Sequence, residues 1–512
     1  MDYGVAYLRQ TLVSCLLYRR TRQLLYGHFF EDVQMTSSRI HTILHAILAI
    51  LAIASIPSVD AASAEPKNII VVLVDDLGWM DLGCQGSDFY QTPNIDQLAV
   101  SGIRFTNGYA ACAVCSPTRA ALMTGKDPAR LGITDWIRAE FQLSNRQGAN
   151  CGVEGYHDAN LKVLTPVNNS HLPHNEVTIA ELLKQKGFVS CFIGKWHLGG
   201  EGYLPTDQGF DLNFGGWDYG QPPSYYDPFT NRRLQHGIPT LKPRETGEYL
   251  TDREADEAVS FIKAHKDRRF LLYLSHYAVH TPIQPKLTLL EKYQSLKDEM
   301  GQDNAAYATM VQSVDDSLGR IMATLNELEL SDDTMIVFTS DNGGLDRNGS
   351  PTENAPLKSG KGFAPEGGIR VPWIIRWPGV TEAGVTSDEP VTSVDLFPTL
   401  AAAVGIDTTD MTLDGADLTP VLKGGSLRKR SLYWHFPHYR HRAGNDPYSI
   451  IRKGDFKLVR FYDPQKVELY HLDSDLAEEF DITDKKPAKV RLLTRELDKH
   501  LNKIGAKLPI LK

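Results

Sequence analysis

Residues 68–74 read Asn-Ile-Ile-Val-Val-Leu-Val, an unbroken β-branched apolar run that ends abruptly at Asp75 and Asp76. A strand without polar alternation must be covered on both faces, which calls for a mainly parallel sheet with helices on each side. The runs FVSCFI (188–193), FLLYLS (270–275) and TMIVFTS (334–340) have the same texture, and amphipathic segments such as EVTIAELLKQKG (176–187) lie between them. After Gly425 the pattern changes. SLYWHF, YSIIRKGDFKLVRFY and VELYHL read as antiparallel strands joined by turns such as Lys453-Gly454-Asp455, and PAKVRLLTRELDKHLNKI reads as one closing helix. The expected division is a leader over 1–64, a large α/β domain over 65–425 and a small α+β subdomain over 426–512.

The leader is expected from AILAILAIASI (46–56), which is apolar but well short of the roughly 20 residues a membrane span requires. Ala62-Ser63-Ala64 then fits a small-residue cleavage site. Met35, followed by a short segment containing Arg39, suits a signal peptide better than Met1 as the start; an uncleaved N-terminal anchor is the alternative. The chain is therefore expected to be exported, periplasmic or secreted, and to meet a membrane only through its secretory signal. Outside the leader stand Cys84, Cys112, Cys115, Cys151 and Cys191, an odd number in a compartment that permits disulfides. At least one must be free, modified or intermolecular. A formal charge of -9 gives no basic field for nucleic acid, so an anionic substrate needs a local cluster of cations.

Ligands of open α/β sheets gather beyond the carboxyl ends of the strands. Here those ends carry Asp75-Asp76, Asp341-Asn342, Lys195-Trp196-His197, and His276 followed by His280. Like charges about 4 Å apart cost on the order of 4 kcal/mol at an intermediate dielectric, so carboxylates meeting there call for a cation. All-oxygen donors point to calcium or magnesium. Lys195, His197, His280 and Lys361 supply the opposite sign, as for an anion site built against a metal. Each has a plainer reading alone, as a strand-end turn, a solvated lysine or a histidine satisfied in a loop. In CAVCSPTRAALMTGK (112–126), Pro117 suits the first turn of a helix and Gly125 its stop, which sets Cys115 at the amino end with Arg119 one turn on. A helix start is expected to lower the thiol pKa. The competing reading is a redox or zinc-type Cys-x-x-Cys using Cys112 as well.

Cys115-Ser116-Pro117-Thr118-Arg119 with Leu122 to Gly125 resembles the signature of the type I sulfatases of the alkaline-phosphatase superfamily. The second signature of that family resembles Gly194 to Gly199, and VDDLGWMDLGCQG, HTP at His280, SDNGG at 340–344 and GKG with EGGIRVP around Lys361 follow in family order. The resemblance spans the chain beyond residue 66. It implies an alkaline-phosphatase-like α/β fold, a large mixed, mostly parallel sheet sandwiched by helices with a smaller C-terminal antiparallel sheet plus helix. It implies a sulfuric ester hydrolase of arylsulfatase type whose Cys115 is oxidised to Cα-formylglycine by a formylglycine-generating enzyme. One Ca2+ is then held by Asp75, Asp76, Asp341 and Asn342, with the modified Cys115 beside it. Arg119 and Lys195 would steady the formylglycine hydrate, and Lys361 would bind the sulfate oxygens. His280, with Lys361, would protonate the leaving alcohol, and His197 would assist breakdown of the sulfated intermediate. The second hydroxyl of the hydrate lets sulfate leave without another attack at sulfur.

The context resembles sulfatases acting on sulfated glycans, galactose or N-acetylgalactosamine sulfates above all, with aryl sulfates as simpler substrates. GGWDYGQPPSYYDPF (215–229) and YWHFPHYRHR (433–442) are rich in aromatics and fit either sugar rings or packing between domains. Ser170 is a candidate for the hydroxyl that some family members direct at a histidine. The alternatives are a phosphodiesterase or phosphonate monoester hydrolase of the same superfamily, and an unmodified, inactive glycan-binding homologue.

Overall fold

The computed structural model describes residues 65–143, 153–296, 301–440 and 446–512. The expected leader, its cleavage site and the Met35 start lie outside the described residues, as do Cys151, His441 and Arg442. All the described residues fall within one compact unit.

Eight strands form the main sheet: β1 (Asn68–Val74), β2 (Ile103–Phe105), β3 (Val189–Gly194), β4 (Leu212–Phe214), β5 (Phe270–Ser275), β6 (Thr334–Ser340), β7 (Trp373–Arg376) and β8 (Val385–Ser387). Their order is β8-β2-β7-β6-β1-β5-β3-β4. β1 lies at the centre, parallel to β5 with Asn68 opposite Phe270 and to β6 with Asn68 opposite Thr334. Every residue of β1 is buried, as the unbroken apolar run requires. The sheet is mixed because β7 runs antiparallel to both β6 and β2.

Both faces of β1 are covered. Ile69, Val71 and Leu73 pack with the helices Cys115–Thr124, Ile179–Lys184 and Leu396–Ala403. Ile70, Val72 and Val74 pack with Pro93–Val100, Leu250–Ala264 and Ala305–Glu327. No helix among the described residues is long and apolar enough to cross a membrane.

A four-stranded antiparallel meander follows, β9 (Ser431–Phe436), β10 (Tyr448–Lys453), β11 (Phe456–Tyr462) and β12 (Gln465–His471). One face sets Trp434, Phe436 and Ile450 against Tyr109, Cys112 and Ile369. The other sets Ile451, Leu458 and Leu469 against Leu493, Leu497 and Leu501 of the closing helix Pro487–Lys503. The chain end then returns, and Ile510–Leu511 pairs antiparallel with Leu164 and Val163.

Candidate active site

Four strand ends and one helix start build the site. Asp75 and Asp76 follow β1, Lys195 and His197 follow β3, Asp341 and Asn342 follow β6, and His280 lies five residues beyond β5. Backbone hydrogen bonds hold these exits together: Lys195 N–H donates to Ser275 O at 2.7 Å and Asp341 N–H to Val74 O at 3.2 Å. Asp76 (φ 62°) and His197 (φ 58°) both have left-handed backbone, which costs a non-glycine residue energy and is concentrated at functional positions.

The helix α1 (Cys115–Thr124) begins at Cys115 and stops at Gly125, whose φ of 68° is the left-handed cap expected of that glycine. All ten helical residues are buried. Cys115 Sγ lies 3.3 Å from His197 Nδ1. The other ring nitrogen of His197 donates to the carbonyl of Ile137 at 2.6 Å, so the lone pair of Nδ1 faces the sulfur. Burial, with Lys195 and Arg119 nearby, keeps the His197 pKa well below its ordinary value, so the ring is neutral. The expectation of a lowered thiol pKa is overturned. Burial pushes the Cys115 thiol up, more than Lys195 and Lys361 pull it down.

Cys112 sits in the apolar layer under the C-terminal sheet, where burial raises its thiol to about 12. Cys84, Cys112, Cys115 and Cys191 are free thiols, so no disulfide joins the Cys-x-x-Cys pair.

Charges alternate around the sulfur. Lys195 Nζ meets Asp75 Oδ2 at 2.6 Å, and Lys361 Nζ meets Asp76 Oδ1 at 2.6 Å. Asp341 Oδ2 accepts from Arg119 Nε at 2.9 Å, while Oδ1 accepts from the Asp76 N–H at 3.2 Å. Burial opposes ionisation of Asp76, yet His280, Lys361 and Lys195 hold its carboxyl below the usual range. At Asp75 burial wins over Lys195 and the pKa rises. Within this cluster of described residues three buried oxygens have no hydrogen-bond donor: Asp75 Oδ1, Asp76 Oδ2 and Asn342 Oδ1. Ligand atoms of Asp75, Asp76 and His280 come within 4.8 Å of one another, close enough for a single ion. Unsatisfied buried oxygens of this kind are costly without a cation, and the oxygens of Asp75, Asp76 and Asn342 suit a hard divalent ion such as calcium, with the His280 nitrogen at the edge of the group.

His280 Nδ1 faces the carbonyl of Thr281 at 2.9 Å and its Nε2 lies 3.6 Å from Asp76 Oδ2. Burial, reinforced by Lys361 and Lys195 and opposed by Asp76, lowers its pKa to about 3. Burial disfavours the Lys361 ammonium, but Asp76, Cys115 and Asp75 outweigh it and raise its pKa. A cleft of about 490 Å³ opens over Cys115, Asp76, His197, His280 and Lys361. Arg119, Lys195, Asp75 and Asp341 lie beneath this surface, bonded to one another.

A sulfatase family model matches residues 67–406, which include every one of these residues. The chain belongs to the sulfatase family. A second model, N-sulphoglucosamine sulphohydrolase, C-terminal, matches residues 360–507. The N-acetylgalactosamine-6-sulfatase of Canis lupus familiaris is 34% identical over 397 residues, covering 73% of this chain and 69% of that relative. A sulfatase of Formosa agariphila is 31% identical over 497 residues, covering 84% and 86%. The crystal structure of Ps i-CgsB in complex with k-i-k-neocarrahexaose superposes with a TM-score of 0.71 at 30% identity, covering 85% of this chain and 92% of that one. This sulfatase is accordingly a sulfuric ester hydrolase with the alkaline-phosphatase-like fold.

Three supporting groups are not singled out by the sequence, Tyr225 being marked there only as part of an aromatic segment. Ser275 Oγ accepts from Arg119 at 2.7 Å and donates to Lys195 O at 2.8 Å, the Ile137 carbonyl orients His197, and the Tyr225 hydroxyl donates to Tyr277 O and His280 O. Tyr225 belongs to the aromatic loop, which divides its labour: Tyr225 and Phe229 are core, while Tyr219 to Pro223 line the cleft. In the second aromatic segment packing prevails. Trp434 and Phe436 are core, His435 and His438 are buried, and Arg440 alone of its described residues reaches the cleft. Ser170 is exposed, and its hydroxyl faces His171 at 3.2 Å instead of the cleft.

Proposed function

We propose that this sulfatase removes sulfate from sulfated carbohydrate of the galactose or N-acetylgalactosamine type, using Cα-formylglycine made from Cys115 and one calcium ion. The observation that carries the metal is the set of donorless buried oxygens on Asp75, Asp76 and Asn342. These residues with Asp341 would hold the ion, and the modified Cys115 would lie beside it. Calcium supplies Lewis-acid stabilisation of sulfuryl oxygens, and formylglycine supplies a hydrate whose second hydroxyl permits release of sulfate.

Charge counting supports this reading. Asp75, Asp76 and Asp341 are matched by Lys195, Lys361 and Arg119, so the protein shell is near neutral. A divalent ion would leave the pocket positive, as suits a sulfate ester meeting an ionised nucleophile. Lys361 lines the cleft and is positioned to hold sulfate oxygens. Lys361, kept charged by Asp76, is positioned to pass a proton to the leaving alcohol; His280 beside it is neutral with its proton donated to the Thr281 carbonyl, so the donor role expected of the pair falls to Lys361. His197, neutral with its lone pair toward position 115, is fitted to take a proton from a hydroxyl there. Lys195 and Arg119 act from below by fixing Asp75 and Asp341. The sugar assignment rests on the N-acetylgalactosamine-6-sulfatase relatives and the oligosaccharide-bound neighbour. Export, with maturation by a formylglycine-generating enzyme, belongs to the same proposal.

The test is sulfate release, measured by ion chromatography, from galactose and N-acetylgalactosamine oligosaccharides sulfated at defined positions, beside a matched aryl sulfate and aryl phosphodiester. Mass spectrometry of the peptide containing Cys115 should show loss of sulfur. Faster phosphodiester cleavage, or an unmodified cysteine in fully active enzyme, would sink the proposal.

A further inference from the structure

The floor of the cleft accounts for one anion. Its walls hold three more cations, Arg233, Arg347 and Arg440, on three separate loops that follow β4, β6 and β9. Among the described residues Asp76 is the only carboxylate lining the cleft, and it is already bonded to Lys361. Some surface arginines face acids, as Arg130 meets Asp414 and Arg320 meets Asp256, and others such as Arg232 and Arg491 are exposed without an ion pair among the described residues. What sets the three apart is that they converge on one cleft. Among the described residues no carboxylate lies within ion-pair distance of the three cleft arginines, in a chain whose formal charge is -9. Cations left unpaired around a concave site focus the field and raise the local concentration of an anionic ligand, even where, as at Arg233 and Arg347, the side chain is exposed.

Two of them are laid on aromatic rings. The Arg233 guanidinium lies 4.7 Å from the Phe141 ring and donates to the Phe141 carbonyl at 3.3 Å. That of Arg440 lies 5.8 Å from Trp136 and donates to Lys361 O at 2.7 Å. A carbonyl takes one of the five N–H groups of each guanidinium, and the fork that remains suits sulfate or carboxylate oxygens.

We propose that Arg233, Arg347 and Arg440 form a second anion subsite, so that the preferred substrate carries a further sulfate or carboxylate on a sugar neighbouring the one that is desulfated. This rests on the carbohydrate-sulfatase reading above and adds to it a requirement for substrate charge.

Three disaccharides test it, each with the same sulfated N-acetylgalactosamine and a neighbouring sugar that is neutral, a uronate or itself sulfated. The readout is the ratio of kcat/KM for a charged neighbour to that for the neutral one. This ratio is internal to each variant and is insensitive to partial loss of active protein. The wild-type ratio is expected to exceed about 10 for at least one charged neighbour and to collapse toward one as ionic strength rises past about 0.3 M. Whichever neighbour gives the larger ratio identifies the second anion as carboxylate or sulfate. Arg233→Gln and Arg347→Gln should each lower the ratio about 3–10-fold. Arg440→Gln should do the same, with a further loss common to all three substrates through Lys361. A wild-type ratio near one, or a ratio unchanged in all three variants, overturns the subsite. If no sulfate ester is turned over, the broader reading has failed, and the same ratio taken from calorimetric dissociation constants still decides the subsite.

Discussion

Arg119 shows how much of the site is spent on holding itself together. Its Nε and Nη2 face Asp341, and its Nη1 donates to Lys195 O and Ser275 Oγ, so one side chain ties together the ends of β6, β3 and β5. A lysine has one nitrogen for these acceptors and no fork. Arg119→Lys should leave Asp341 underpaired in a fully buried position and cost about 3–5 kcal/mol of unfolding free energy, measured by urea titration. In the surviving folded fraction kcat should fall with KM nearly unchanged, because the side chain does not line the cleft. A large rise in KM with stability intact would instead make Arg119 a substrate contact. At this scale the chemistry-bearing residues were legible because polar groups broke apolar runs, as Asp75 and Asp341 do. Ser275 and the Ile137 carbonyl were not legible: a serine at the end of a strand and a main-chain oxygen leave no pattern, although both orient catalytic candidates. The thiol of Cys115 was misjudged for a related reason. A helix start is visible in sequence, whereas the depth at which it is buried is set by the chain around it.

At the scale of elements, buried strands declared themselves and short ones did not. The runs at 68–74, 270–275 and 334–340 became β1, β5 and β6 within the same bounds. β7, wedged antiparallel between β2 and β6, and the tail strand at Ile510–Leu511 have too few residues for periodicity to single them out. The exit of β3 also depends on a contact that no local pattern contains. Gly194 has a φ of 91°, and a Cβ there would sit 2.0 Å from the backbone oxygen of Ser275, which receives the Lys195 N–H. Neither atom can move without parting β3 from β5. Gly194→Ala should therefore destabilise the fold by about 2–4 kcal/mol and displace Lys195 and His197 enough to lower kcat about 100-fold. Thermal unfolding and steady-state kinetics on one preparation check both. A variant of wild-type stability and activity would show that the strand exit tolerates rearrangement.

For the whole molecule the decisive feature is the seam under the C-terminal sheet. Lys457 of β11 is fully buried between two carboxylates, 2.9 Å from Glu366 and 2.9 Å from Glu478. Glu366 stands five residues beyond Lys361, and the Glu366 N–H donates to Glu478 at 2.6 Å, so the loop bearing Lys361 is anchored through this network to the C-terminal segment. No sequence pattern pairs position 457 with 366 or 478; the lysine reads as one more polar residue on a strand. The two acids differ. Burial opposes ionisation of Glu366, but Lys457, Arg370 and Arg452 together hold its carboxyl below the usual range. Glu478 has Lys457 alone, and burial pushes it above its ordinary value. A depressed folded pKa stabilises the protein above the unfolded value of 4.5, and that contribution is lost as the pH falls below it, so acid should loosen the seam in the wild type. Lys457→Met reverses the sign. With the ammonium gone, Glu478 has no cation left and Glu366 is held by fewer, so their folded pKa values rise and ionisation costs stability near neutrality. The variant should lose about 3–5 kcal/mol at pH 7.5 and recover part of it near pH 5, where the stranded carboxylates take up protons. Urea midpoints at the two pH values decide between this and a passive seam, for which the deficit of Lys457→Met against the wild type would be the same at pH 7.5 and pH 5. Because the anchored loop carries Lys361, KM for a sulfate ester should rise in the variant and fall back with the same pH dependence as the stability.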